Sequence, residues 1–247
     1  MFGKCLRAGW LGLIAGCLVA CDRPAPPVPQ PPAPDATSPP QAPTSDSPGV
    51  PLPPTTEVPP AYEVDWSQHE LGALSSDFLV LGGEFELVEL DGKRVLKLGM
   101  QELDAFGVMF GPTHTMGVQV EAQVLATARG RRMPTFSVGS NGVSGYQLRV
   151  AGVKRQLELL RDEQIVATVD YVWSSGVWTH LQLRVDLHQG YPRVRAKAWA
   201  QGQDEPADWL LVYDDRQEIT PGRATIWGAP YAETPIYFDG LRVTFPR

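Results

Sequence analysis

Along residues 178–187 apolar and polar side chains alternate strictly. Leu181, Leu183, Val185 and Leu187 fall on one side and His180, Gln182, Arg184 and Asp186 on the other, a period of two that marks a half-buried strand with the core under the first set. The same alternation sets Val118, Val120, Ala122 and Val124 against Gln119, Glu121 and Gln123, and Tyr146, Leu148 and Val150 against Gln147 and Arg149. Runs bounded by Gly, Pro, Asn or Asp predict further strands over 85–90, 94–98, 107–110, 135–138, 156–160, 165–169, 194–199, 209–213, 223–227 and 236–245. No segment reads as an amphipathic helix. Asp91-Gly92, Asn141-Gly142 and the connector over 160–165 supply tight reversals between strands. Many short antiparallel strands in one region predict an all-β fold of two antiparallel sheets packed face to face. This many strands favour a jelly-roll sandwich over a seven-stranded immunoglobulin one.

The alternation begins only after residue 61. Residues 22–60 hold 16 prolines in 39 positions and no aromatic residue. Such a stretch cannot bury a core, and proline both fixes φ and removes amide donors. It predicts a disordered, partly extended polyproline tether whose upper reach is about 120 Å at roughly 3.1 Å per residue. Its Pro-Pro pieces also admit a docking role. Residues 62–247 are expected to form a single domain, long enough for one sizeable core.

The first residues differ again. Lys4 and Arg7 precede thirteen uncharged residues, 8–20, too few to span a bilayer that needs about 20. With the tetrapeptide Leu18-Val19-Ala20-Cys21, this segment resembles the export signal and lipobox of a bacterial lipoprotein. The resemblance implies cleavage of residues 1–20, acylation of Cys21 and a bilayer as partner through that anchor. It implies a location in the bacterial cell envelope, with the domain in the periplasm or at the cell surface. Asp22 after the cysteine resembles an inner-membrane retention signal. Cys5 and Cys17 fall in the part removed, so the folded region has no thiol for a disulfide, a Cys-ligated zinc or a cysteine nucleophile. Cleavage leaves 19 Lys and Arg against 28 Asp and Glu, a formal charge of -9, which argues against nucleic-acid partners.

The strings Gly145-Tyr-Gln-Leu-Arg-Val150, Trp178-Thr-His-Leu-Gln-Leu-Arg184, Lys197-Ala-Trp199, Glu205-Pro-Ala-Asp-Trp209, Gly228-Ala-Pro and Phe238-Asp-Gly-Leu-Arg-Val243 resemble the concanavalin A-like, laminin-G-like jelly-roll domains of bacterial envelope proteins. The resemblance spans nearly all of residues 75–245. It implies that jelly-roll fold and the binding of a glycan or, in some members, an envelope protein; a few branches hydrolyse glycosidic bonds. The hydrolytic branch carries a Glu-x-Asp-x-x-Glu strand. Glu84-Phe-Glu86-Leu-Val-Glu89 comes nearest but lacks the Asp and puts Glu89 on the other face, which an alternating edge strand explains.

Other chemistry finds little footing. Asp214-Asp215 reads as a solvated turn, because neighbours on a strand face opposite ways. His69, His114, His180 and His188 are far apart, so a zinc site is not expected, and His114 and His188 read as exposed loop residues. No Gly-x-Ser-x-Gly elbow surrounds Ser137, Ser140 or Ser144. No cofactor is expected; loop oxygens leave structural calcium open, with Asp65 and Asp239 as its candidates.

Six of the seven Trp fall in the domain. A sugar offers C–H groups to an aromatic face and hydroxyls to amides, carboxylates and guanidinium groups. Val194, Ala196 and Ala198 share one face, leaving Trp199 with Arg195 and Lys197 on the polar one. Trp199 is therefore the expected stacking platform of a non-catalytic carbohydrate site, with Gln182, Arg184, Gln147, Arg149, Gln119 and Glu121 as hydrogen-bonding groups on one sheet face. The competing reading is a structural corner from Trp199 to Trp209 with Arg195 or Lys197 over an indole. Trp227 and Tyr231 bracket Gly228-Ala-Pro230, a loop suited to the rim of a ligand site. Two alternatives to glycan binding stay open: a protein-interaction or structural module of an envelope complex, and a glycoside hydrolase with an atypical carboxylate pair.

Overall fold

Every alternating run named above contains a strand in the computed structural model, which describes residues 61–100, 104–231 and 233–246. Cys21, the export signal and the proline-rich segment lie outside the described residues. In chain order the strands are β1 (Ala61–Glu63), β2 (Gly72–Ala73), β3 (Leu79–Val80), β4 (Phe85–Leu90), β5 (Lys93–Leu98), β6 (Phe106–His114), β7 (Val118–Leu125) and β8 (Thr135–Ser140). There follow β9 (Tyr146–Ala151), β10 (Gln156–Arg161), β11 (Gln164–Asp170), β12 (Thr179–His188), β13 (Tyr191–Ala200), β14 (Leu211–Asp214), β15 (Gly222–Ala229) and β16 (Ile236–Thr244). Strands β1 to β3 are additions to the expected set: at two or three residues they are too short to display a period. The helical pieces among the described residues are single 3-10 turns, Trp66–Gln68 and Gly152–Lys154.

The strands form two antiparallel sheets. The larger has nine strands, ordered β14-β13-β12-β7-β16-β5-β4-β2 with β1 paired to the end of β16. The smaller has seven, ordered β11-β10-β9-β8-β15-β6-β3. Three hairpins turn on two residues that both take left-handed backbone, as the twist of the flanking strands demands. These are Asp91-Gly92 (φ 50° and 77°), Asp162-Glu163 (48° and 62°) and Gln189-Gly190 (52° and 86°).

The core fills the space between the sheets with the residues the alternation assigned to it. Leu181, Leu183 and Val185, Val118 to Val124, and Val194, Ala196 and Ala198 come from the larger sheet. Phe136, Val138, Tyr146, Leu148, Val150, Leu157, Leu159, Ala224 and Ile226 come from the smaller. Phe110, Phe136 and Phe238 are fully buried, and truncating a phenylalanine in such a site to alanine costs about 3–5 kcal/mol.

Three inward or outward expectations need correction. Leu187 is 61% exposed, two residues before the Gln189-Gly190 turn that joins β12 to β13, where the strand end projects past the core. Asp215 is buried rather than solvated: its carboxylate accepts from Tyr146 Oη at 2.7 Å, from Arg161 and from the Gln217 amide at 3.0 Å, fastening the loop after β14 to the smaller sheet. Burial pushes that carboxyl up, but these hydrogen bonds outweigh it and hold Asp215 below the usual range; burial and the same pairing push Tyr146 up. His114 is buried too, its Nε2 2.9 Å from Ser140 Oγ and its Nδ1 3.1 Å from the Pro112 carbonyl, and burial lowers its pKa.

Candidate functional site

Trp199, Gln182, Arg184, Gln119 and Glu121 meet on the outer face of the larger sheet. Antiparallel registers place Gln182 opposite both Glu121 and Lys197, and His180 opposite Trp199. Trp199, His180, Gln182, Gln119 and Glu121 line, with Gln123, Glu205, Gly240 and Arg242, a cleft of about 350 Å³, and Arg184 is not among its lining residues. Its groups are largely engaged with one another. Glu121 Oε1 accepts from Gln119 at 2.5 Å and from Gln182 at 3.1 Å, and Arg184 donates to both Asp186 oxygens at 2.9 and 3.0 Å. One face of Trp199 is covered by His180, with ring centroids 4.9 Å apart and planes 8° from parallel. The cationic contacts fall on the other indole: Arg195 and Lys197 lie 5.1 and 4.8 Å from the centre of Trp209, and Lys197 also reaches Glu205 at 2.5 Å and the Pro206 carbonyl at 3.0 Å. The structural corner expected after Trp199 is thus present, with Trp209 as its indole.

Gln147 and Arg149 are elsewhere. They point outward, as the alternation indicated, but β9 belongs to the smaller sheet, so they lie on the opposite side of the sandwich from Trp199. Alternation fixes which side chains face away from the core and carries no information about which sheet a strand joins.

The registers of the smaller sheet align a row on its outer face, Gly107 of β6, Trp227 of β15, Ser137 of β8, Arg149 of β9 and Glu158 of β10. Glycine at 107 gives this row its shape. A Cβ there would lie 2.5, 2.6 and 2.8 Å from three adjacent carbons of the Trp227 benzo ring. Such similar distances put that point over the ring face, since beside the edge they would differ by about an ångström. The indole therefore lies with one face on the bare backbone of Gly107 and its other face turned away from the sheet.

A depression of about 300 Å³ opens over this row. Trp227 and Tyr231 supply its rings, Ser137, Gln147 and Arg149 its polar side, and Glu163 and Val143 the end beyond Leu160. Gln147 Nε2 donates to Ser137 Oγ at 2.6 Å, which leaves the Gln147 carbonyl oxygen for a ligand. Arg149 donates from Nε at 2.8 Å and Nη2 at 2.5 Å to one oxygen of Glu158, and Lys154 donates to the other at 2.8 Å. The Glu158 side chain is only 1% exposed. Burial pushes its carboxyl up, but Lys154 and Arg149 outweigh that and hold it below the usual range. Glu158 thus fixes Arg149 in place and keeps its own charge. Glu158 and Gly107 are not legible as site residues in the sequence; their signals, a lone acid and a lone glycine inside strands, acquire meaning only when neighbouring strands are known.

The proposed calcium residues share a third depression with Glu63, but Asp65 accepts from the Ser67 amide at 3.0 Å and Asp239 from the Gly240 amide at 2.8 Å. Among the described residues no group of three or more His, Cys, Asp or Glu is placed to hold a metal.

No family model and no curated protein matches the sequence. Solved structures do match. A protein described with the endo-acting O-glycanases that prominent members of the human gut microbiota express to initiate mucin breakdown aligns over 75% of this chain and 99% of its own, with a TM-score of 0.52 and 9% identity. The Crh5 transglycosylase, solved with NAG, aligns over 77% and 86% at a TM-score of 0.51 and 10% identity. A mutant of the Emp46p carbohydrate recognition domain aligns over 74% and 93% at 0.50 and 8%. The fold is a concanavalin A-like jelly roll. At these identities the likeness speaks for the fold alone.

Proposed function

We propose that this chain is a lipid-anchored protein of the bacterial cell envelope whose jelly-roll domain binds carbohydrate without cleaving it. The observation that carries the reading is the Trp227 indole, seated on Gly107 with its other face turned away from the sheet, in a depression that also holds Tyr231, Gln147 and Arg149. A sugar ring stacks its C–H groups on such a platform while amide and guanidinium groups take its hydroxyls. The outer face of the smaller sheet is thus preferred to the Trp199 cleft, where one ring has a covered face and the polar groups satisfy each other. Carbohydrate is also what the Emp46p domain recognises by name and what the transglycosylase was solved with.

Binding without hydrolysis is favoured by the state of Glu158. A glycosidase needs one carboxyl protonated near neutral pH to donate to the leaving oxygen. Glu158, the buried acid of the row, is held ionised with both oxygens engaged.

The test is binding of the full chain, in detergent, to a panel of immobilised polysaccharides and peptidoglycan, with Trp227→Ala and Trp199→Ala beside it. Saturable binding lost with Trp227 and kept without Trp199 is expected; no binding across the panel overturns the reading. Anchoring rests on the lipobox and has its own check. Cells fed an alkynyl fatty acid are expected to label the wild-type protein and not Cys21→Ala, and equal labelling of both would overturn acylation at that residue.

A further inference from the structure

The acidic balance of the chain is reversed at one point. Between β7 and β8 a hairpin carries Arg129, Arg131 and Arg132, closed by reciprocal backbone hydrogen bonds between Arg129 and Arg132 of 2.9 and 3.1 Å. All three arginines are exposed. Two of them already hold a carboxylate: Glu233 Oε2 accepts from Arg129 at 3.3 Å and Glu233 Oε1 from Arg132, so both oxygens of one acid are forked between two guanidinium groups. Arg129, Arg132 and Glu233 line an open hollow of about 340 Å³. Arg131 has no ion pair among the described residues.

This receptor lies at one end of the Trp227 depression. Thr135 and Tyr231 line the depression, and Arg132 stands three positions before Thr135 while Glu233 stands two positions after Tyr231. The chain therefore keeps the Cα of Arg132 within roughly 11 Å of that of Thr135 and the Cα of Glu233 within about 7 Å of that of Tyr231. Glu163, the acid of the depression, stands at the opposite end, beyond Leu160. Trp227 and Arg149 stand in one row across the strands, and the basic hairpin lies off that row, before the first residue of β8.

We propose that the glycan bound on the Trp227 face is an acidic polysaccharide bearing carboxylate groups, that the Arg129–Arg132 hairpin clamps one of those groups, and that Glu233 is the internal carboxylate occupying the clamp when it is empty. The proposal rests on the glycan reading of the Trp227 face and adds the charge class of its ligand. A guanidinium fork matches a planar carboxylate, and the Glu233 contacts show the fit within the molecule itself. The hold of Glu233 is readily exchanged, because its side chain is 56% exposed and exposed ion pairs are worth about 0–1 kcal/mol each.

The experiment measures binding of the full chain, in detergent, to polygalacturonate, alginate and hyaluronan, each beside its carboxyl-reduced form. Wild type is expected to prefer at least one acidic polymer over its reduced twin by about tenfold at low salt, with the preference shrinking as salt is raised toward 0.5 M. Arg131→Gln, which removes no side-chain hydrogen bond or ion pair among the described residues, is expected to lower the preference, and the Arg129→Gln/Arg131→Gln/Arg132→Gln variant to abolish it. Glu233→Gln is expected to tighten binding of the acidic polymer several-fold and to leave the reduced polymer unchanged. Equal binding of acidic and reduced polymers, or a preference that survives the triple substitution, overturns the acidic-ligand proposal and leaves the glycan reading standing. No tightening in Glu233→Gln overturns the role given to Glu233. Failure of all six polymers and of the neutral panel overturns both.

Discussion

The two outer faces of the sandwich are built from the same strand chemistry and end up doing different things with their tryptophans. On the larger sheet Trp199 meets His180 across the register, so one ring face is consumed by a neighbour, and Gln119 and Gln182 both donate to Glu121. On the smaller sheet Trp227 meets Gly107, which offers no side chain, and the ring lies down on the backbone. What stands opposite an aromatic residue on the next strand decides whether it becomes packing or a platform. The ion pairs differ in the same way: Glu158 is buried beneath Arg149 and Lys154, whereas Asp214 and Arg193 at the edge of the larger sheet share solvent.

The comparison breaks most visibly in stability. Arg149→Met removes one of two cations from a buried carboxylate and is expected to cost about 2–3 kcal/mol, just under the range for breaking a buried pair because Lys154 remains. Arg184→Met, at an ion pair partly open to solvent, is expected to cost less than about 1 kcal/mol. Denaturant titrations of the two variants check this, and equal losses would deny that the faces differ.

Binding comes next. Trp227→Ala is expected to weaken glycan affinity about 30-fold, the effect of losing an anchor worth about 2 kcal/mol, while Trp199→Ala changes it less than about twofold. Calorimetry on the polymer that wild type binds is the measurement, and the reverse ranking would move the site to the other side of the molecule. Gly107→Ala gives a subtler cut without touching the aromatic residue. Its methyl would sit inside the ring's van der Waals surface and lift the indole, for an expected loss of about tenfold in affinity with the fold retained, read by the same titration beside circular dichroism.

The smallest expected effect is on acid stability. Glu158 and Asp214 both have folded-state pKa values below their ordinary 4.5 and 3.8, Glu158 because Lys154 and Arg149 outweigh its burial and Asp214 through its hydrogen bond from Arg193. A depressed carboxyl adds stability that is fully present above its unfolded pKa and is lost as pH falls through the folded one. Melting temperature should therefore fall less steeply than in wild type below about pH 4.5 in Glu158→Gln and below about pH 3.8 in Asp214→Asn. High salt should erase the Asp214 contribution, which is exposed, and spare much of that of Glu158.

Strands β4 to β16 were legible from residue order alone, and the two- and three-residue strands β1 to β3 were not. Runs such as 118–125 and 146–151 alternate because one side must leave water, and that requirement is met whichever sheet the strand joins. The tight hairpins at Asp91-Gly92 and Asp162-Glu163 were legible for the same local reason. So was the outward direction of Trp199, Gln182, Gln147 and Arg149. Three things were not: that Gln147 and Arg149 stand behind the sandwich from Trp199, that His180 covers Trp199, and that Trp227 rests on a glycine 120 residues away in sequence. Side-chain alternation is a property of one strand, and sheet membership and register are properties of pairs. Hydrophobic burial along a single strand therefore determined the faces of this protein, and long-range pairing between strands decided which face holds a site.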